Sequence, residues 1–210
     1  MAVVTISREL GSEGDTVVDI LCEKIGYSRV DTAALSQIAE DAGVDIKALL
    51  AKERAVTQKP RLISNQMTSL YGRAPTAFAR KTDLDDQTYA RVVRETIERF
   101  ARKENAVIVG RGGQMVLRDW PRALHVHLYA PAGVRIQRAM KRFNSSELEA
   151  RRRIRASDER KRQYIRNMHR NANWKDLKHY DLAINTGHIS PEVAARIIIQ
   201  AAKHMDNQAQ

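Results

Sequence analysis

The hydrophobic positions at the start of the chain change their spacing within 25 residues. Val3, Val4 and Ile6 form a short β-branched run, which is typical of a buried strand. After a glycine-containing loop, apolar residues recur at helical spacing, at Val17, Ile20, Leu21 and Ile25. The pattern predicts a strand, a loop and a helix in that order.

The same alternation between short apolar runs and helical periodicity continues along the chain. Further strands are predicted within residues 27–31, 106–109, 124–128 and 182–184. Helical patterns lie at residues 33–70, at 89–100, from 132 onward, at 146–169 and from 190 onward. Residues 71–82 contain Gly72 and Pro75, lack a clean period and predict a loop. Strands separated by helices indicate an α/β fold with a parallel sheet, whose ligands bind beyond the carboxyl ends of the strands.

The last helix shows its start in the sequence. Ser190 followed by Pro191 is a favourable N-cap and first-turn pair. Val193, Ile197 and Ala201 are predicted to face the core from this helix.

The loop after the first strand has the residue types of a phosphate-binding turn. In such a loop the backbone N–H groups and the positive end of the following helix converge on one point and stabilise an anion. The pattern G-x-x-x-x-G-K-[ST] is matched only in part, because Glu13 falls where a glycine is common, Gly14 stands at the lysine place and Asp15 adds a negative charge. The alternative is an ordinary strand-to-helix turn whose glycines permit positive φ. The candidate nucleotide-binding residues are Gly11, Ser12, Glu13, Gly14, Asp15 and Thr16.

The formal net charge of +11 is concentrated in one segment. Residues 135–170 hold 13 Lys or Arg against four Asp or Glu, which gives +9. A basic surface would usually favour nucleic acid or another polyanion as a partner. Because the charge is local, we expect it to serve a small anionic ligand, and we expect no nucleic acid partner.

Cysteine, histidine and tryptophan usage narrows the function classes. The single cysteine, Cys22, excludes an intrachain disulfide and is predicted to be a small buried residue. No charged-then-apolar leader and no apolar run near 18 residues are present, so we expect a cytoplasmic protein without a membrane partner. His125 and His127 alternate in a predicted strand without carboxylates at metal spacing and are predicted to be packed, so no metal site is expected from these residues. Trp120 and Trp174 are predicted to be packing or edge residues.

Taken in order, six features resemble the cytidylate kinase-like family, which is related to the nucleoside monophosphate kinases of the P-loop fold. They are ISRELGSEG at 6–14, the pair Gly26–Tyr27 with Asp31 after the first helix, VIVGRGG at 107–113, HVHLYAP at 125–131, SDERKRQYIR at 157–166 and YDLAINTGHISPE at 180–192. The resemblance implies a single domain over residues 1–210 with a three-layer α/β P-loop fold and a parallel sheet. It also implies a helical acceptor-binding region near 33–85 and a basic helical lid near 146–172. The implied cofactors are ATP and Mg²⁺, and the implied acceptor is a nucleoside monophosphate, CMP or dCMP first.

The resemblance also assigns roles to charged residues. Arg111 matches an arginine of the acceptor site in cytidylate kinases, although Gly110 and Gly112 stand where those enzymes have aspartates. Arg8 and Asp31 are further candidate substrate contacts, and Asp31 fits equally well as a helix N-cap. Four arginines of the lid-like segment are the catalytic candidates: Arg153, Arg155, Arg160 and Arg162.

Arginine suits phosphoryl transfer because its planar fork binds phosphate in two hydrogen bonds and keeps its charge. The alternative for the lid arginines is a solvated basic helix face balanced by nearby carboxylates. Two functions follow: an ATP-dependent nucleoside monophosphate kinase in which Arg8 or a lid arginine replaces the missing lysine, or a catalytically impaired nucleotide-binding regulatory protein with a degenerate P-loop.

Overall fold

The computed structural model describes residues 2–31 and 86–207. The predicted helical stretch 33–70, the loop 71–82 and the whole of the proposed acceptor-binding region near 33–85 lie outside these residues.

Five strands form one sheet in which every neighbouring pair is parallel. The strands are β1 (Val3–Arg8), β2 (Ser28–Val30), β3 (Ala106–Val109), β4 (Ala123–Tyr129) and β5 (Leu182–Asn185). Their order across the sheet is β2-β3-β1-β4-β5. The parallel sheet predicted from the alternation of strands and helices is therefore confirmed. The central position of β1 places the glycine loop between the ends of β3 and β4.

Helices connect the strands and cover both faces of the sheet. They are α1 (Gly14–Ile25), α2 (Asp86–Lys103), α3 (Gly113–Val116), α4 (Ala132–Phe143), α5 (Glu147–Met168) and α6 (Pro191–Asn207), with a short 3₁₀ turn at Leu177–His179. None of these helices is both long and apolar enough to cross a membrane, within residues 2–31 and 86–207.

The alternation of side chains along β1 builds two cores. Val4 and Ile6 pack with residues of α1 and α6 on one face of the sheet. Val3 packs with residues of α2 and with Trp174 on the other face. The described residues thus form three layers, helices on a sheet on helices.

The basic segment is one helix, α5, with strong start signals. Ser146 is its N-cap, and its hydroxyl accepts from the Glu149 N–H while the Glu149 carboxylate accepts from the Ser146 N–H. This reciprocal pair is a capping box. The prediction of helix over residues 146–169 is confirmed.

The last helix begins where it was predicted but buries a different face. The Ser190 hydroxyl accepts a hydrogen bond from the Val193 N–H at 3.4 Å. Ile197, predicted to face the core, is 38% exposed. The buried face is one residue further on, at Ala194, Ala195, Ile198, Ile199 and Ala202. The alanines allow α6 to pack closely on α1, which a pattern weighted toward the large residues does not reveal.

Candidate functional site

A cavity of about 290 Å³ opens at the carboxyl edge of the sheet, beyond β1 and β3. Its wall is formed by Ser7, Arg8, Asp31, Val109, Gly110, Arg111, Gly112, Gln114, Ser157, Arg160, Lys161, Tyr164, Ile165 and Trp174. Four of these described residues are cationic and one, Asp31, is a carboxylate. The excess positive charge makes the cavity suitable for an anion.

The glycine loop, residues 11–16, lies beside the cavity and is held from several sides. The Ser12 hydroxyl is fully buried and donates to the Glu9 carbonyl at 2.8 Å. The Thr186 hydroxyl donates to the Ser12 carbonyl at 2.7 Å, and Arg138 binds the Glu13 carboxylate at 2.7 Å. The shape of the glycine loop is thus fixed by hydrogen bonds and an ion pair. The first N–H groups of α1 have no acceptor within the helix. None of residues 11–16 contributes to the cavity wall itself.

The backbone of the loop shows why a lysine is missing. Glu13 adopts a left-handed conformation at the N-cap of α1, with φ of 53°, where a glycine would be favoured. Gly14 follows at the first helical position, the lysine place. A Cβ on Gly14 would lie 2.5 Å from Cβ and 2.8 Å from Cγ of Arg8. The stem of Arg8 therefore occupies the space that a side chain at position 14 would need.

Arginines also neutralise the acidic residues of the loop. The Asp15 carboxylate lies 3.3 Å from Arg8, 3.5 Å from Arg29 and 3.6 Å from Arg142. Burial alone would raise the pKa of the Asp15 carboxyl, but the charges of these arginines hold it below its ordinary value. The negative charge that the sequence places in the loop is thus balanced within the fold.

Arg111 is brought into the cavity wall by a strained turn. It has φ of 56° and lies between Gly110 and Gly112, whose φ angles are also positive. A Cβ on Gly112 would lie 2.2 Å from the Nε2 atom of His169, so a side chain there would require the His169 ring to move. The positive φ of Gly112 would strain such a side chain as well, and both facts favour glycine over an aspartate after Arg111.

Two tyrosines orient the Arg111 side chain. Its guanidinium donates to the Tyr89 hydroxyl at 3.5 Å and lies 5.9 Å from the centre of the Tyr164 ring. Because the tyrosines belong to α2 and α5, the arginine is held between these two helices.

The four lid arginines do not share one site. Arg160 lines the cavity. Arg153 stacks on Phe143, with its guanidinium 5.0 Å from the ring centre. Arg155 and Arg162 line a separate open groove with Asp158 and Glu159, and Arg162 lies 2.5 Å from the Glu159 carboxylate. The structure thus joins Arg160, but not the other three, to Arg8, Asp31 and Arg111.

Asp31 lines the cavity directly after β2 and is oriented by Arg29, whose Nε donates to its carboxylate at 3.1 Å. The helix that Asp31 was predicted to cap lies outside the described residues. Its place at the ligand edge of the sheet agrees with the prediction of a substrate contact.

Lys161 and Trp174 are among the residues of the cavity wall that were not identified as functional from the sequence. Lys161 donates to the Ser157 hydroxyl at 3.2 Å and lies 5.6 Å from the centre of the Trp174 ring. A signal for Lys161 was present, because Ile154, Ser157, Lys161 and Tyr164 follow one another at helical spacing and so share a face. Trp174 is 2% exposed, as a packing residue should be, but it also forms part of the cavity wall.

A buried ionic network, the clamp, joins Glu9, which directly follows β1, to Asp158 of α5. Arg135 binds the Glu9 carboxylate at 3.1 Å and both oxygens of Asp158, at 3.0 and 2.8 Å. Lys175 lies 2.5 Å from Glu9 and 3.8 Å from Asp158. The side chains of Arg135 and Glu9 are each 6% exposed, so these charges are compensated by one another and hardly by water.

The two strand histidines are packed, as predicted. The Thr5 hydroxyl and the Nδ1 atom of His125 are 2.8 Å apart. His127 packs against Trp174 and Tyr180, and burial lowers its pKa to about 4. Cys22, predicted to be buried, is half-buried at the edge of the core.

The sequence was compared with known families and proteins. A family model described as the cytidylate kinase-like family matches residues 3–188. A cytidylate kinase from Pyrococcus horikoshii is 32% identical over 145 residues, which is 69% of this chain and 73% of that protein.

Solved structures agree with the architecture. A protein from Eubacterium ventriosum superposes with a TM-score of 0.69 at 21% identity, covering 97% of this chain and 99% of that one. A shikimate kinase from Bacteroides thetaiotaomicron superposes with a TM-score of 0.51 at 11% identity, covering 96% and 98%. At these identities the likeness concerns the fold alone. The predicted three-layer P-loop fold is confirmed.

Proposed function

Because the chain belongs to the cytidylate kinase-like family, we propose that it transfers the γ-phosphoryl group of ATP to a nucleoside monophosphate, with CMP or dCMP as the acceptor. The observation that carries the proposal is the cavity at the end of β1 and β3, where Arg8, Arg111, Arg160 and Lys161 converge with one carboxylate among the described residues. Such a surplus of cations matches a site at which two phosphate groups meet.

The arrangement suits the chemistry of phosphoryl transfer. The reaction requires little covalent participation by the protein, and alignment and positive charge around the transferred group lower most of the barrier. The glycine loop and the first turn of α1 would bind phosphate through backbone N–H groups. Arg111, oriented by Tyr89 and Tyr164, would position the acceptor phosphate, and Arg160 would bring charge from the lid helix.

Mg²⁺ would enter with the nucleotide, and the described wall of the cavity fits it. Asp31 is the carboxylate there, and Mg²⁺ is usually held by one or two carboxylates together with substrate phosphates and waters. Ser12 fits less well because its side chain is fully buried and is not part of the cavity wall. When bound, the ion would supply further charge neutralisation at the phosphate oxygens.

A second function, nucleotide binding without transfer, is favoured by one observation. Arg8 covers Gly14, so a lysine cannot stand at its usual place beside the phosphates. A chain that lost catalysis would still keep the backbone amides that bind nucleotide.

One experiment separates the two functions. Purified protein is incubated with ATP, Mg²⁺ and, separately, CMP, dCMP, UMP, AMP and GMP, and the nucleotides are resolved by ion-exchange chromatography. We expect formation of ADP together with CDP or dCDP. An Arg160→Ala variant purified in the same way controls for a contaminating kinase. Nucleotide-dependent thermal stabilisation without any diphosphate product would reject transfer in favour of binding alone.

A further inference from the structure

Lys161 is a cation on the buried face of α5. Its ammonium donates to the Ser157 hydroxyl at 3.2 Å and lies 5.6 Å from the centre of the Trp174 ring. Both partners are neutral. The residue lines the cavity together with Arg8, which belongs to the opposite wall, at the end of β1.

Within the described part of the chain, Lys161 takes part in no ion pair. The charged groups that influence it are Arg8 of β1, Glu9 after β1, Arg135 of α4 and Asp158 of α5, and Lys175 shares the Trp174 ring with it. The two carboxylates are already held by Arg135 and Lys175 in the clamp. Lys161 is therefore a partly buried ammonium with neutral contacts, beside two carboxylates that other cations already bind.

Such an ammonium is unfavourable without an anion. Burial, followed by the charge of Arg8, lowers the pKa of Lys161 to about 8, with Arg135 adding to the effect. A phosphate group in the cavity would stabilise the charged form of Lys161, because its negative charge would offset the burial of the ammonium and the repulsion by Arg8.

The glycine loop cannot supply the cation that a lysine provides in the G-x-x-x-x-G-K-[ST] pattern. A side chain at Gly14 would collide with the stem of Arg8, and the loop contributes Glu13 and Asp15 instead. A cation for the transferred phosphoryl group must come from another element. Of the described residues that line the cavity, Lys161 is the one lysine.

We propose that Lys161 provides, from the lid helix, the ammonium that contacts the transferred phosphoryl group in place of the lysine absent from the glycine loop. The inference rests on the proposed phosphoryl transfer. It assigns to a lid residue the role that the G-x-x-x-x-G-K-[ST] pattern gives to the loop.

The first test measures kcat and KM against pH for wild type, Lys161→Met, Lys161→Arg and the control Lys203→Met, whose lysine is exposed on α6. We expect Lys161→Met to lower kcat by about 10²–10³, with Lys203→Met within about twofold of wild type. The wild-type kcat/KM should fall as the pH rises above about 8, because the ammonium loses its proton there. This fall should be absent in Lys161→Arg, whose guanidinium stays charged. Wild-type kinetics in Lys161→Met would overturn the inference.

The second test does not depend on turnover. Inorganic tripolyphosphate binding is measured by calorimetry at pH 7, after circular dichroism has shown that the variants are folded. We expect Lys161→Met to bind at least about tenfold more weakly than Lys203→Met. If wild type forms no diphosphate with any monophosphate, the proposed phosphoryl transfer is rejected. The binding of tripolyphosphate still decides whether Lys161 contacts phosphate. Equal affinities of the two variants would overturn the contact in either case.

Discussion

The clamp and the cavity wall both contain cationic side chains at the same edge of the sheet, but the surroundings of these side chains differ. Arg135 of the clamp is 6% exposed at its side chain and binds Glu9 and Asp158. Arg160 and Lys161 follow Asp158 on the same helix and line the cavity, and within the described residues neither is in an ion pair. Charges of one sign at one edge of the sheet are thus paired with carboxylates in Arg135 of α4 and form no such ion pair in Arg160 and Lys161 of α5, among the described residues.

This difference shows that a basic segment cannot be interpreted from its net charge alone. One of the basic residues in 135–170, Arg135, binds Glu9 and Asp158 in the clamp and connects α5 to the end of β1. Two others, Arg160 and Lys161, line the cavity. The clamp thus helps to hold the helix that carries the cavity cations.

Breaking the clamp should produce the largest effect. Arg135→Met leaves Asp158 and Glu9 buried with less compensation, and removal of one partner from a buried ion pair costs about 3–5 kcal/mol. Urea unfolding should show that loss in the free energy of unfolding. Arg151→Met is the control, since it removes an exposed pair with Glu147 and should cost less than about 1 kcal/mol. Similar stabilities of the two variants would show that the clamp contributes little.

Removing a cavity cation should affect the reaction and leave the fold intact. Arg160→Ala should lower kcat by at least about a hundredfold, which corresponds to about 2.7 kcal/mol in the barrier, with a much smaller change in ATP affinity. Arg162→Ala should stay within about twofold, because Arg162 is exposed and paired with Glu159 in the separate groove. The catalytic role of Arg160 would be rejected if the two variants had equal kcat values.

Filling the space under Arg8 should disturb both regions moderately. Gly14→Ala places a Cβ against the stem of Arg8, and overpacking of this kind costs about 1–3 kcal/mol. We expect a lower melting temperature and a reduced thermal stabilisation by ATP with Mg²⁺. A Gly133→Ala variant is the control, since no atom lies within 4 Å of a Cβ built there. Unchanged stabilisation by nucleotide in Gly14→Ala would place the nucleotide away from the loop.

The smallest effect concerns the pH dependence of stability near the clamp. Burial lowers the pKa of His127 to about 4, so between that value and its ordinary 6.5 the unfolded chain binds a proton that the folded chain does not. The contribution of the neutral His127 to the free energy of unfolding is therefore fully present above pH 6.5 and is lost as the pH falls toward 4. Between pH 7.5 and 5.5 it should reduce the free energy of unfolding by about 1 kcal/mol. His127→Leu should lose this part of the pH dependence and keep the parts contributed by His125 and His169, because burial also lowers the pKa of those two imidazoles. Replacement of the exposed His188 should leave the full dependence in place.

Much of the fold could be predicted from the sequence because strand and helix periods were clear. The apolar run of β1, the helix over residues 146–169, the capping residue Ser190 and the parallel arrangement all follow from local pattern. The prediction of the buried face of α6 was wrong because the small alanines of this helix carry a weak hydrophobic signal, although they pack against α1.

The candidate site was predicted less completely because its members meet through tertiary contacts. The sequence identified Arg8, Asp31 and Arg111, which the sheet brings to one cavity. It could not separate Arg160 from Arg153, since the difference is a contact with Phe143 on another helix. Nor could it show that Arg8 excludes a side chain at Gly14, a contact between residues that precede and follow the turn.

The central claim is that cations of β1 and the lid helix, and not a loop lysine, bind the phosphates. A crystal structure with a non-hydrolysable ATP analogue, Mg²⁺ and CMP tests it most directly. We expect the γ-phosphate and the acceptor phosphate in the cavity, with Arg8, Arg160 and Lys161 at hydrogen-bond distances of about 3 Å from their oxygens. Phosphates bound in the groove of Arg155 and Arg162, or beyond the reach of these three side chains, would contradict the account.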